Sequence, residues 1–291
     1  MTSEPIPGAP VPPVSRAFST QVWGDVTFLH WPYPPEVVRP LLPPATELDL
    51  CDGVCWVSVV GLRMGRVSIA GLLHLGDFLE TNVRTYAVDG RDRCSTVFLT
   101  MEASTLPFVL SARIVGRLPY TWSSMGLRRA GNSVDYRLSR RWPAPAGVGI
   151  RWRVRLGERI APTPLDHHLT ARWAQHSRWY GGVTLYTPVE HEPWLLHAAE
   201  LLDLHEDGLF AAAGLPGPTG PPSSVRYAPE VHARFGLPRT ADSRPCAGEA
   251  AQYDQRDGEQ GDAREQHHER HAEGPSDEAP HRPRRVHKRP R

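Results

Sequence analysis

The chain has 291 residues with net charge +1 and 40% hydrophobic composition, enough for a sizeable core and too little charge for bulk attraction to nucleic acid. No apolar run approaches the roughly 20 residues that span a bilayer. The Pro-rich first 15 residues lack the basic and apolar regions of a secretory signal, so a cytoplasmic protein with no membrane partner is the expectation.

Thirty prolines and 25 glycines between short apolar runs point to strands and turns. Residues 1–15 are expected to be a disordered leader, 16–240 one folded domain and 241–291 a disordered charged tail, basic at its end but without specific nucleic-acid affinity. Order is expected near Trp23, with Val26 to Trp31 as a strand stopped at Pro32. Pro35 to Leu42 reads as a short helix with proline in its first turn. Glu47 to Leu50 and Val54 to Leu62 read as a hairpin around Asp52-Gly53, which could bring Cys51 and Cys55 face to face. Four cysteines without a CxxC pair suit ordinary reduced thiols. Residues Arg63 to Gly76 read as loop.

The segment Leu79 to Tyr86 alternates with period two. Leu79, Thr81, Val83 and Thr85 share one face; Glu80, Asn82, Arg84 and Tyr86 share the other. Glu80 and Arg84 then lie roughly 13 Å apart along the strand, so each needs its own partner or a ligand. Thr96 to Glu102 returns as the hairpin partner across Val88-Asp89-Gly90. Symmetric pairing puts Phe98 near Arg84 and Glu102 near Glu80, where two carboxylates on one buried face would raise a pKa; the simpler alternative leaves Glu102 solvated at the strand end.

Leu106 to Val115 reads as a short helix, with Phe108, Val109, Ala112 and Val115 as its apolar side, and Gly116 to Tyr120 as a turn. Ser133 to Arg141, Ile150 to Leu156 and Gly182 to Tyr186 read as strands. The arginines at 137, 140, 141, 151, 153 and 155 suggest a solvent face, with a polyanion-binding face as the minority reading. Leu165 to Trp179 is predicted as a helix bearing Leu165, Leu169, Arg172, Trp173 and His176 on one stripe, and Leu195 to Leu204 as another. His167, His168 and His176 are expected at the surface or as caps, without metal-ligand spacing. No nucleotide, flavin or metal motif occurs, so no cofactor is expected.

Several motifs then come in order: Phe28-Leu29-His30-Trp31-Pro32, Leu41-Leu42-Pro43-Pro44, Phe78-x-Glu80-x-Asn82-Val83-Arg84-Thr85-Tyr86, Leu118-Pro119-Tyr120, Leu169-Thr170-x-Arg172 and His191-x-Pro193-Trp194. Through them the chain, from about Trp23 to Arg239, resembles the YqjF-like family (DUF2071) of the acetoacetate decarboxylase-like superfamily. The resemblance implies an α+β, mainly β fold, a large curved antiparallel sheet forming a cone-like barrel around an enclosed polar pocket, with peripheral helices. It also implies that the even face of the Glu80 strand points into that pocket. Decarboxylases of this fold carry a Gly-x-Pro-Lys-Lys segment whose first lysine forms a Schiff base. Here Tyr120 and Thr121 stand at the two lysine positions, with one extra residue after Gly116, and the chain's only lysine is Lys288. Without an amine there is no iminium electron sink.

Two readings follow. In one, an enzyme acts on a small anionic organic molecule: Arg84 and Asn82 bind it, Glu80 is the acid/base, Tyr120 donates to the reacting oxygen and His30 is a reserve binding or acid/base group. In the other, a non-catalytic module uses the same pocket to bind or sense its ligand. Homo-oligomerisation stays open, as does the substrate.

Overall fold

The computed structural model describes residues 13–241. In chain order these form β1 (Ser19–Tyr33), α1 (Pro35–Val38), β2 (Thr46–Leu48), β3 (Cys55–Ile69), β4 (Leu73–Leu75), β5 (Phe78–Asp89) and β6 (Cys94–Ala103). There follow α2 (Leu106–Ile114), β7 (Tyr120–Ala130), β8 (Ser133–Trp142), β9 (Gly149–Arg159), α3 (Pro164–Thr170) and β10 (Ala174–Arg178). The chain continues with β11 (Thr184–His191), β12 (His197–Asp207), α4 (Leu209–Ala212), β13 (Ser224–Phe235) and β14 (Arg239–Thr240).

All fourteen strands belong to one sheet, which curves into a ring because β5 pairs β6 and β11 pairs β13 in addition to the linear strand order. The sheet is mixed rather than wholly antiparallel: β6 runs parallel to both β7 and β10. Both faces of β5 are buried. One face joins a core of Leu29, Val57, Val59, Val83 and Trp152; the other joins Phe28, Val60, Met101 and Phe108. On the first side Trp152 stacks on Tyr136 at 4.7 Å and packs against Gly61, where an added Cβ would sit 2.7 Å from Trp152 Cη2.

Several expectations need correction. Pro32 does not stop β1, which runs to Tyr33. The Asp52-Gly53 turn closes with a single bridge, Cys51 to Val54, while β2 pairs β5 instead of β3. The cysteines at 51, 55 and 94 are free. Residues expected as loop after Arg63 extend β3 and form β4. Tyr120 begins a strand.

One predicted helix gives way to a strand in its second half, and another is a strand almost throughout. The first stops at Thr170, after a capping box between Thr163 and Asp166 starts it. Residues 174–178 instead form a strand between β6 and β11, where backbone pairing overrides an apolar spacing that also fits a helix. His168 and His176 are consequently buried, not superficial. The second, from Leu195, is β12. A register shift between Leu201 and Asp203 turns both Leu201 and Leu204 toward the core, a three-residue spacing that imitates a helix.

Another bulge separates the two acids. Arg84 does pair with Phe98, but Val83 pairs with Thr100, so Leu99 is the extra residue and Glu102 comes opposite Thr81. Glu102 therefore faces away from Glu80. It is fully buried, ion-paired with Arg140, and accepts hydrogen bonds from Thr100, Thr121 and Ser123. Neither the paired-carboxylate site nor the solvated strand end is what the structure holds. Arg140 is likewise the exception among the strand arginines. Arg137, Arg141, Arg151, Arg153 and Arg155 are exposed, and acids on β8 and β12 neutralise the last three.

No described helix is long and apolar enough to cross a membrane. The tail and most of the leader lie outside the described residues, but Val14 is buried and its N–H donates to Glu190.

Candidate functional site

A cavity of about 600 Å³ opens beside the even face of β5. Glu80, Asn82 and Arg84 line it because strand alternation projects them to one side. Tyr120, first residue of β7, meets them from beyond β6. Its neighbour Thr121 turns the opposite way, to Glu102.

The four polar side chains are all buried, at 4% exposure for Glu80, Asn82 and Tyr120 and 9% for Arg84. Tyr120 OH donates to Glu80 Oε2 at 2.6 Å, and Asn82 Nδ2 donates to Glu80 Oε1 at 3.0 Å. Burial raises the Glu80 pKa above the usual carboxylate value, although the bonds from Tyr120 and Asn82 and the charge of Arg84 pull it back. Burial and the adjacent Glu80 push the Tyr120 phenol well above its usual 10, so it stays protonated.

Arg84 is held by the end of α3. A helix leaves its last carbonyls without intrahelical partners, and here each finds one. Leu169 O accepts from Arg84 Nη2 at 3.0 Å and from Tyr86 OH at 2.8 Å. His168 O accepts from Arg172 Nε, and Thr170 O from Trp194 Nε1. Arg84 makes no ion pair among the described residues, and its Nε is buried without a partner. Its guanidinium lies 5.7 Å from the Phe28 ring centre and 5.8 Å from that of Tyr86. Arg172 also lines the cavity, but it has a counter-ion in Asp49.

His30 does not line the cavity. It follows Phe28 on the same face of β1 and stacks on that ring, fully buried. Its Nδ1 bonds Ser58 Oγ at 2.6 Å, and Ser58 bonds Tyr86 OH at 2.6 Å. Burial first, then Arg84 and Arg226, hold its pKa well below 6.5, so the ring is neutral and steadies the wall behind Arg84.

Sequence reasoning assigned no site role to His191, Trp194 or Arg172, although their short motifs were the signal that could have done so. His191 sits among Trp23, Trp173 and Trp194, and burial takes its pKa down to about 4. Trp194 stacks on Trp23 and meets Phe28 edge-on, closing one flank. Apolar atoms make up most of the lining, so the cavity is an apolar chamber with a polar floor, not a polar pocket throughout. No group of three His, Cys, Asp or Glu suited to a metal occurs among the described residues.

Residues 20–232 match the family model DUF2071, described as an uncharacterized conserved protein. The chain is 30% identical over 184 residues to the uncharacterized protein YqjF of Bacillus subtilis (strain 168), covering 62% of this chain and 75% of that one. Among solved structures, it is similar to the enduracididine biosynthesis enzyme MppR complexed with pyruvate, with TM-score 0.55 and 14% identity over 77% of this chain and 91% of that one. An acetoacetate decarboxylase-like enzyme from Sphingomonas wittichii RW1 gives TM-score 0.52 at 13% identity, covering 78% and 94%. Acetoacetate decarboxylase from Legionella pneumophila gives 0.52 at 12%, covering 80% and 89%. These likenesses establish an acetoacetate decarboxylase-like fold.

Proposed function

The chain belongs to the DUF2071 family, and on that premise we propose that its cavity binds a carboxylate-bearing carbonyl compound, on which Glu80 and Tyr120 perform non-covalent proton transfer. The observation that carries this is Arg84, a buried guanidinium beside the cavity with no ion-paired carboxylate among the described residues. A buried cation without a counter-charge is costly, and a bound carboxylate supplies one through charge-assisted hydrogen bonds. A 2-oxo acid is the first candidate, since the similarly folded MppR holds pyruvate.

Arg84 would fix the ligand carboxylate, aided by the second N–H of Asn82 Nδ2, whose first donates to Glu80 Oε1. Tyr120, kept protonated, would turn its one O–H from Glu80 Oε2 to the ligand carbonyl oxygen, which frees that carboxylate oxygen to act as base. Glu80 would take a proton from the carbon next to that carbonyl. The C–H electron pair then forms a C=C bond, the carbonyl π pair moves to oxygen as an enolate, and the proton rests on Glu80 until it returns. Residues 13–241 contain no lysine, so none of their side chains forms a Schiff base with the carbonyl.

A second reading, a module that binds without turnover, is favoured by the fact that both Glu80 oxygens are already engaged. Solvent-deuterium exchange at C3 of a bound 2-oxo acid, followed by NMR, separates the two. Glu80→Gln should bind within a few-fold of the parent and lose about 10²–10⁴-fold in exchange rate. Absence of exchange in the parent with a ligand that demonstrably binds would leave the module reading.

A further inference from the structure

From the way polarity is distributed along the cavity, we infer that the ligand is amphiphilic: a carboxylate head on an apolar tail directed toward the mouth. This rests on the anion-binding reading above for the head, and on separate observations for the tail.

The chamber of about 600 Å³ falls within the roughly 300–1,000 Å³ typical of sites for drug-sized ligands. A three-carbon acid seated on Arg84 would leave most of it to water, against walls such as Val60, Leu62, Met64, Met101 and Phe108. Charged lining is confined to the buried floor and Arg172, and neutral polar side chains interrupt the walls at Gln175, Ser177 and Thr187 on β10 and β11, Ser19 and Gln21 on β1, and Ser111 on α2. The remaining walls offer a tail dispersion contacts and offer water few hydrogen bonds.

The mouth points the same way. Phe18, Val115 and Pro238 line the cavity and are themselves exposed, Val115 at 66%. Beside them in the chain, Ile114 is 70% exposed and Leu237 60%. Burial thus increases from an apolar rim to a charged floor, which orients an amphiphile head-inward and covers the rim residues with its tail.

The test is titration calorimetry of the full chain with a series running from pyruvate through 2-oxohexanoate and 2-oxooctanoate to 2-oxodecanoate. 1-Octanol serves as a tail without a carboxylate. Affinity should rise about fourfold for each added methylene that the walls enclose, then level off when the tail reaches the rim. Ala112→Trp, on the mouth-side helix α2, should bring that plateau to a shorter chain while leaving pyruvate binding unchanged. Equal affinity across the acid series overturns the tail inference while leaving the anion reading intact. Octanol binding as tightly as 2-oxooctanoate, unaffected by Arg84→Met, overturns the anion reading and keeps the apolar chamber. Failure of every compound to bind overturns both.

Discussion

Arg84→Met separates a residue kept for a ligand from one kept for the fold. Methionine retains a flexible apolar stem of similar reach, so packing against Phe28 and Tyr86 largely survives. The losses are one charge-assisted hydrogen bond to Leu169 O, about 1.5–3 kcal/mol, and two cation–π contacts of roughly 0.5–1 kcal/mol each. Leu169 O is not orphaned, because Tyr86 OH still donates to it. Against those losses stands relief from burying a guanidinium that has no ion pair among the described residues, itself several kcal/mol. The two sides roughly cancel, so stability should move by about 1 kcal/mol or less, a midpoint shift within about 4 °C for a domain of this size. Ligand affinity should behave differently, falling by about 2–5 kcal/mol, or roughly thirty-fold to several thousand-fold. Thermal and urea denaturation read the first quantity, and calorimetry with 2-oxooctanoate reads the second. A midpoint drop above about 10 °C would show that the guanidinium holds the fold together and would remove the observation on which the anion site rests.

Other substitutions probe charges elsewhere. Because the Glu80 pKa is raised, the native state holds its proton more tightly than the unfolded chain, so the associated stability is full below the usual 4.5 and declines as pH rises through the folded value. Glu80→Gln should therefore gain on the parent in melting midpoint between pH 4 and pH 8; a constant gap refutes the shift. His168 and His191 go the opposite way, lowered from 6.5 to about 4. Each contributes roughly 3 kcal/mol that is present above 6.5 and lost as pH falls toward 4, so His191→Phe should flatten the acid limb of a midpoint-against-pH curve. Arg140→Met strands Glu102 among hydroxyls and should cost about 3–5 kcal/mol by urea unfolding. Adding Glu102→Met should recover most of that, and a double variant no better than the single one would count against a true ion pair.

That Glu80, Asn82 and Arg84 share one face was legible because period-two alternation is robust on a strand with a firm turn after it, whereas the expectation that this face lines a pocket came from the resemblance. Tyr120 depended on resemblance, since a turn reading of Gly116 to Tyr120 gives no hint of the strand that aims it. His30 had the right parity, but it is fully buried against Ser58 and outside the cavity lining, which the alternation of β1 does not reveal. The pairing of Glu80 with Glu102 failed on one inserted residue, Leu99, and the helix reading of β12 failed on another bulge. In each case a local period is changed by one residue whose extra place is decided by a partner strand distant in sequence. The segment 174–178 is similar, because nothing within it announces the parallel neighbour β6.

The closure of the sheet also dictates an order of assembly. Strand β1 completes its hydrogen bonding on one side with β3, soon after it in the chain, but on the other side with β13, where Ser19 meets Phe235. During synthesis that second seam waits for almost the whole domain, and contacts of such sequence separation form slowly. Until then β1 presents an open backbone edge along its apolar stretch from Val26 to Trp31. The interval before β13 arrives is when this chain is most exposed to mispairing with its neighbours.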